Sequence, residues 1–208
     1  MIGRTRIKFG LQLFNSMSTR GAYGFRLGGK DYVSYNHSDS YPSYLGEEIL
    51  RQCKELLKGG MDKLKKSISG IQLINGKKKP AKTDIKNLKP YTELSVGQQK
   101  TNDWYCLTRG LQGSLINTIK SGYMIDSAHF LLDSLFCEWA YIINLDDNIF
   151  EIYKGFVKSK GIGRYDCIKI DEEKDEYYGV KLMATFPLDK INELQSVVGL
   201  SNSLGIIE

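Results

Sequence analysis

A serine, an arginine, an asparagine and an aspartate fall close together in the stretch Met17 to Asp39. They are Ser18, Arg20, Asn36 and Asp39, with His37 between the last two. A serine hydroxyl is a poor nucleophile at neutral pH and needs an adjacent base. A serine that opens a chain carries one, because a free α-amine titrates near about 8. Ser18 directly follows Met17 and its side chain is small, which suits removal of an initiator methionine. Such a serine could run acyl-transfer chemistry in a chain whose only histidines are His37 and His129. The oxyanion of the tetrahedral intermediate needs N–H donors, which Asn36 or Asn144 could supply. Arg20 lies two residues beyond Ser18 and so shares its face on a strand, where it could orient a carboxylate or phosphate. Asp39 could hold the α-amine or Arg20.

The same residues have plainer readings. Ser18 and Arg20 are also ordinary strand residues, and Asn36 and Asp39 are good turn formers because their side chains bond local backbone. His37 and Asp39, two apart in a turn, need not touch, and His129 reads as packing on a helix. The sixteen residues before Met17, MIGRTRIKFGLQLFNS, allow three readings: a terminal strand, a processed or targeting segment, or an extension upstream of a start at Met17. Only removal of that segment would give Ser18 its own base.

The elements that must position these residues begin with a hairpin. Ser18 to Leu27 and Asp31 to Tyr35 alternate as strands around Gly28-Gly29, a pair that tolerates positive φ. Asn36 to Ser40 is turn chemistry. Helices are expected over Gly46 to Leu57, Met61 to Ile68 and about Asp103 to Lys120, with a short one after Asp126 or Ser127. A second hairpin joins Glu138–Asn144 to Ile149–Tyr153 across Leu145 to Asn148. Further strands are expected at Tyr165 to Ile170 and Tyr177 to Phe186, and a helix over Leu188 to Val198. Strands clustered in hairpins argue against a doubly wound parallel sheet. We therefore expect an α+β class, one domain over 17–208, with 1–16 as an extension or first strand and a lysine-rich loop or insertion near 69–94 that could hold a short helical turn at Asp84 to Leu88.

Met17-Ser18-Thr19-Arg20-Gly21 and Tyr35-Asn36-His37-Ser38-Asp39 together resemble the opening of the amino-terminal nucleophile (Ntn) hydrolases. The likeness is to class II glutamine amidotransferases and bile-acid/penicillin-V acylases. In those families the nucleophile after the initiator methionine opens the first strand, and the return strand leads to an Asn/Asp turn. The resemblance implies a layered αββα sandwich with mainly antiparallel sheets. It also implies hydrolysis of an amide with Ser18, Arg20, Asn36, Asp39 and Asn144 as site residues. Ser18 stands where those subfamilies use cysteine, so a repurposed, non-catalytic relative is equally compatible.

Composition bounds the alternatives. The chain has 208 residues, 41% of them hydrophobic, enough for one sizeable core. No apolar run is long enough to span a membrane. Cys53, Cys106, Cys137 and Cys167 are too widely spaced for a zinc knuckle or a disulfide scaffold and read as buried thiols, which points to a cytoplasmic protein. No cofactor or metal motif is present: Gly161-Ile162-Gly163 is too short for a nucleotide loop, and Asp146-Asp147-Asn148 reads as a hairpin turn. The formal charge of +5 hides eleven lysines between Lys54 and Lys89 and an acidic run at Asp171 to Glu176. Those lysines leave open a nucleic-acid or other anionic partner. A protein-interaction or structural role without chemistry is the remaining class; the expected partner is otherwise a small amide substrate or another protein.

Overall fold

Gly28 and Gly29 both take left-handed backbone, φ 62° and 72°, and this turn closes the hairpin of β1 (Gly21–Leu27) and β2 (Lys30–Asn36). The computed structural model describes residues 19–171 and 176–203. Ser18 and the whole 1–16 segment lie outside the described residues. A π-type turn at Pro42–Gly46 leads into α1 (Glu47–Leu57), followed by α2 (Met61–Ser69), β3 (Gln72–Ile74) and α3 (Lys82–Leu88). Next come α4 (Trp104–Leu107), α5 (Leu115–Ser121), β4 (Tyr123–Ile125) and a 3-10 turn at Ala128–Leu132. The second hairpin, β5 (Trp139–Asn144) and β6 (Ile149–Lys154), precedes β7 (Lys181–Pro187), a 3-10 turn at Leu188–Lys190 and α6 (Val197–Ser203).

The five long strands form one sheet in the order β2-β1-β5-β6-β7, and β3 and β4 pair separately. The α+β class holds. The sheet is mixed, however, and corrects the expectation of mainly antiparallel sheets. β1 pairs β5 in parallel, Gly21 opposite Trp139 and Arg26 opposite Asn144, and β3 pairs β4 in parallel. The physical reason lies in the connection. Each hairpin fixes only its own antiparallel pair, and the helical middle of the chain returns β5 to β1 as a crossover.

Alternation sorts the strand residues onto two faces. Tyr23, Phe25, Tyr141, Ile143, Phe150 and Ile152 meet Ile49, Cys53, Leu64 and Ile68 from α1 and α2. On the opposite face Ala22, Val33, Ala140, Ile142 and Tyr153 meet Leu131, Cys137, Tyr165 and Val180. At about 25 cal/mol per Å² of apolar area, these clusters are the main stabilising term. A third cluster, with Ile74, Leu88, Trp104, Leu107, Leu111 and Tyr123, holds the helical middle together.

Several local readings change. The helix expected over 103–120 is broken into α4, a 3-10 turn at Arg109–Leu111 and α5, because Gly113 adopts φ 72° and the Ser114 hydroxyl caps α5 by accepting from the Asn117 N–H. Tyr165 to Ile170 forms no strand, and β7 starts only at Lys181. The helix expected over Leu188–Val198 is a single 3-10 turn, with α6 starting at Val197. The lysine-rich 69–94 region holds β3, where loop was expected, and α3, which lengthens the short helical turn expected at Asp84 to Leu88.

Candidate functional site

Parallel pairing of β1 with β5 puts both hairpin turns at one end of the sheet and the amino ends of both strands at the other. The expected site residues therefore divide. Asn36 pairs with Gly21 at the amino end of β1. Asn144 pairs with Arg26, five residues further along the strand and so about 17 Å away at about 3.3 Å per residue.

The amino end starts at Thr19. Its carbonyl accepts from the Ser40 N–H at 3.2 Å, and its hydroxyl is buried with no hydrogen-bond partner among the described residues. Asn36 is buried; its amide donates to Ser40 Oγ at 2.9 Å and to the Ser38 carbonyl. The Ser40 carbonyl accepts from the Tyr141 hydroxyl at 2.9 Å. Asp39 is exposed, takes left-handed backbone at φ 53°, and its carbonyl accepts from the Leu45 N–H at 3.2 Å. Arg20 turns elsewhere: its guanidinium stacks over the Phe136 ring, 4.5 Å from the centroid. Asn36 and Asp39 thus share the turn beside Thr19, while Arg20 reaches across to the loop before β5. His37 Nδ1 lies 3.0 Å from the Tyr35 hydroxyl.

Tyr35, opposite Ala22, also walls a cavity of about 320 Å³ with Tyr105, Leu111, Met124 and Phe130. The Tyr35 and Phe130 rings meet edge to face at 5.0 Å. Burial pushes the Tyr35 phenol above its usual range, and the charge of Arg20 offsets part of that rise. The cavity therefore sits beside the amino end of β1, on the outer edge of the sheet.

The carboxyl end has a different character. Glu151, 1% exposed on β6, receives both arms of Arg164: Nη2 donates to Oε1 and Nη1 to Oε2, each at 2.9 Å. The Tyr153 hydroxyl donates to Glu151 Oε2 at 2.9 Å and accepts from Arg164 at 3.0 Å. Asn144 donates to Glu151 at 2.8 Å and to Asp147 at 2.9 Å, and its carbonyl oxygen accepts from the Asp146 and Asp147 N–H groups. Asp146 in turn accepts from the Gly28 and Gly29 N–H groups at 2.6 and 2.8 Å, tying the two hairpin turns together. Arg26 pairs with Asp31 at 2.7 Å. Burial lowers the proton affinity of Arg164, but hydrogen bonds to Glu151 and Tyr165 and the charges of Tyr153 and Glu151 together outweigh that and raise it. Burial first, and Glu151 second, push the Tyr153 phenol up. Hydrogen bonds from Gly29 and then Gly28 hold the Asp146 carboxyl below the usual carboxylate range.

Sequence reasoning missed Glu151 and Arg164. The readable signal was an acid inside the apolar run Ile149-Phe150-Glu151-Ile152-Tyr153, a position that demands a buried cation. Among the described residues no group of three or more His, Cys, Asp and Glu is placed to hold a metal ion, and no helix is long and apolar enough to cross a membrane. The lysines of 54–89 are spread over α1, α2, the turn at 77–79 and α3; Lys54 donates to the Leu194 carbonyl and Lys58 pairs with Glu55. Comparison with protein-family models, with curated proteins and with solved structures finds no match for this chain.

Proposed function

We propose that the chain is an amide hydrolase with Ser18 as an amino-terminal nucleophile, built on an Ntn-like layered sandwich. The observation that carries the reading is the arrangement at the amino end of β1. β1 opens at Gly21, three residues after Ser18, next to the buried Asn36–Ser40 hydrogen bond and beside a cavity walled by Tyr35. In the proposed reaction the α-amine takes the Ser18 hydroxyl proton as Oγ attacks the amide carbon. The amine leaves with that proton, and water then hydrolyses the ester. Asn36 is the side-chain donor for the oxyanion, exchanging its bond to Ser40 for one to the intermediate. Asn144, whose amide is committed to Glu151 and Asp147, has no part in this step.

The test is the intact mass and amino-terminal sequence of the protein made in its native host, followed by amide hydrolysis assays with a Ser18→Ala control. A chain starting at Ser18 whose hydrolysis is lost in Ser18→Ala supports the mechanism. A chain that keeps the sixteen upstream residues rules it out.

A second reading, a protein-interaction role on the same fold, is favoured by one observation. Leu135, Phe136 and Ile170 are 39%, 41% and 57% exposed and line one cleft with Tyr177. Co-purification of a partner that is lost in Phe136→Ser, with no amide hydrolysis, would favour this reading over the first.

A further inference from the structure

The cavity beside β2 has a one-sided chemistry. Its walls are aromatic and aliphatic, and its lining includes one arginine, Arg109, one imidazole, His129, and no carboxylate. Arg109 is exposed at the rim. Its contacts are neutral: it hydrogen-bonds the Gln112 side-chain oxygen and lies 5.9 Å from the Tyr105 ring centroid. Among the described residues no carboxylate is within ion-pair distance of it. Glu93 is near enough to feel its charge, but the Glu93 carboxylate is engaged by the Ser95 N–H at 3.0 Å. An arginine fork usually meets a planar anion, because its donors match a carboxylate in two places at once. Here that fork stands at the mouth of an apolar slot.

The slot also has a shape. Tyr35 and Phe130 form one wall, edge to face, and Tyr105 carries Arg109 at the other side. Aromatic walls of this kind favour a flat ring, and a volume of about 320 Å³ is at the small end of ligand sites. Most of the exposed lining is apolar, and two of its hydroxyls are already occupied: Thr108 Oγ1 donates to the Trp104 carbonyl at 2.7 Å and Thr118 Oγ1 to the Ser114 carbonyl at 2.8 Å. The interior therefore offers little to a ligand with several hydroxyl or amide groups. Recognition falls to ring packing inside and one charged contact at the rim.

We propose that this cavity binds a flat, mostly apolar organic anion, its ring between Tyr35, Phe130 and Met124 and its carboxylate on Arg109. The site stands whether or not Ser18 is a nucleophile, because the ligand contacts named here do not include it. On binding, Arg109 exchanges its neutral partner Gln112 for the carboxylate, a stronger charge-assisted bond.

The test uses three fluorescent probes of one skeleton: 2-naphthoate, 2-naphthamide and 2-naphthylmethylamine. Each is titrated into the full chain at low salt and followed by anisotropy. 2-Naphthoate is expected to bind at least tenfold more tightly than either of the other two. Arg109→Gln should remove that preference while leaving the naphthamide affinity unchanged. Phe130→Ala should weaken binding of every probe that binds wild type, and Lys79→Ala, an exposed lysine outside the cavity lining, should change nothing. Arg109 is on the surface, so its substitution leaves the fold in place; circular dichroism on the variant checks this. Equal affinity for the three probes, no binding of 2-naphthoate, or a preference that survives Arg109→Gln would each overturn the proposal. 2-Naphthamide carries an amide bond of the kind Ser18 would cleave, so the three titrations are repeated in Ser18→Ala; loss of hydrolysis there with the naphthoate preference intact would separate the two readings.

Discussion

The two ends of β1 use buried polar groups in opposite ways. At the carboxyl end, Asn144 spends both amide hydrogens and its carbonyl oxygen on Glu151 and on the 146–147 turn, and Arg164 gives Glu151 a bidentate pair. Asp146 stitches that turn to the first hairpin. At the amino end, Thr19 buries a hydroxyl with no partner among the described residues, and an apolar cavity opens beside Tyr35 under an arginine that lacks a carboxylate. A closed network holds a shape. Buried groups left open, and cations left without anions, are where a ligand gains most, because it supplies what the protein has not.

The largest expected effect breaks the closed end. Arg164→Met leaves the buried Glu151 carboxylate without its cation, and the cost should be about 3 kcal/mol in unfolding free energy. Urea denaturation measures it. Adding Glu151→Gln should recover part of the loss, since the uncompensated charge is then gone. A change below about 0.5 kcal/mol in the single variant would mean the pair is not holding the segment around Arg164 on the sheet.

Next in size is the packing at the amino end. A methyl group at Gly21 would lie 2.5 Å from the Trp139 carbonyl oxygen and 2.6 Å from Ser40 Cβ, so Gly21→Ala should cost about 2 kcal/mol. It should also disturb the Asn36–Ser40 bond and with it any reaction at Ser18. If Gly21→Ala is tolerated without loss, this end of the sheet is slack and the contrast with the closed end widens.

A smaller effect tests the tie between the two turns through pH. The native Asp146 carboxyl titrates below its unfolded value of about 3.9, because the Gly29 and Gly28 N–H groups and Arg26 favour the charged form. Its contribution is therefore complete above that unfolded value and is lost as pH falls through the depressed native one. Asp146→Ala should cost about 1.5 kcal/mol at neutral pH. The gap between variant and wild type should shrink in acid, read from urea midpoints between pH 6 and 2. A gap that is constant across that range would assign the effect to packing.

Much of the fold was legible because hairpins and amphipathic helices write their signals locally. Gly28-Gly29 and Leu145 to Asn148 marked both turns, and Ile49, Cys53 and Leu56 marked α1. What joined the two hairpins was not local. Had β5 run antiparallel to β1, Asn144 would have lain beside the start of β1, where the sequence reading needed a donor. The parallel crossover puts it at the far end, beside Arg26. Asn36 and Asp39 were found near Thr19 because they lie in the same hairpin. The cavity was invisible to sequence for the same reason as the crossover: Tyr35, Tyr105, Met124 and Phe130 come from four separate segments.

The smallest expected effect has the opposite sign to the others. Thr19→Val replaces the hydroxyl with a methyl group of similar size. At the closed end, removing a polar atom strands its partners. At Thr19 no described partner is stranded, and the desolvation cost of the hydroxyl is removed. Unfolding free energy should therefore hold steady or rise by up to about 1 kcal/mol. If the hydroxyl serves the reaction beside Ser18, hydrolysis should fall in the same variant while stability does not. A loss of stability would instead reveal that Thr19 is bonded within the protein, and the amino end would be as closed as the other.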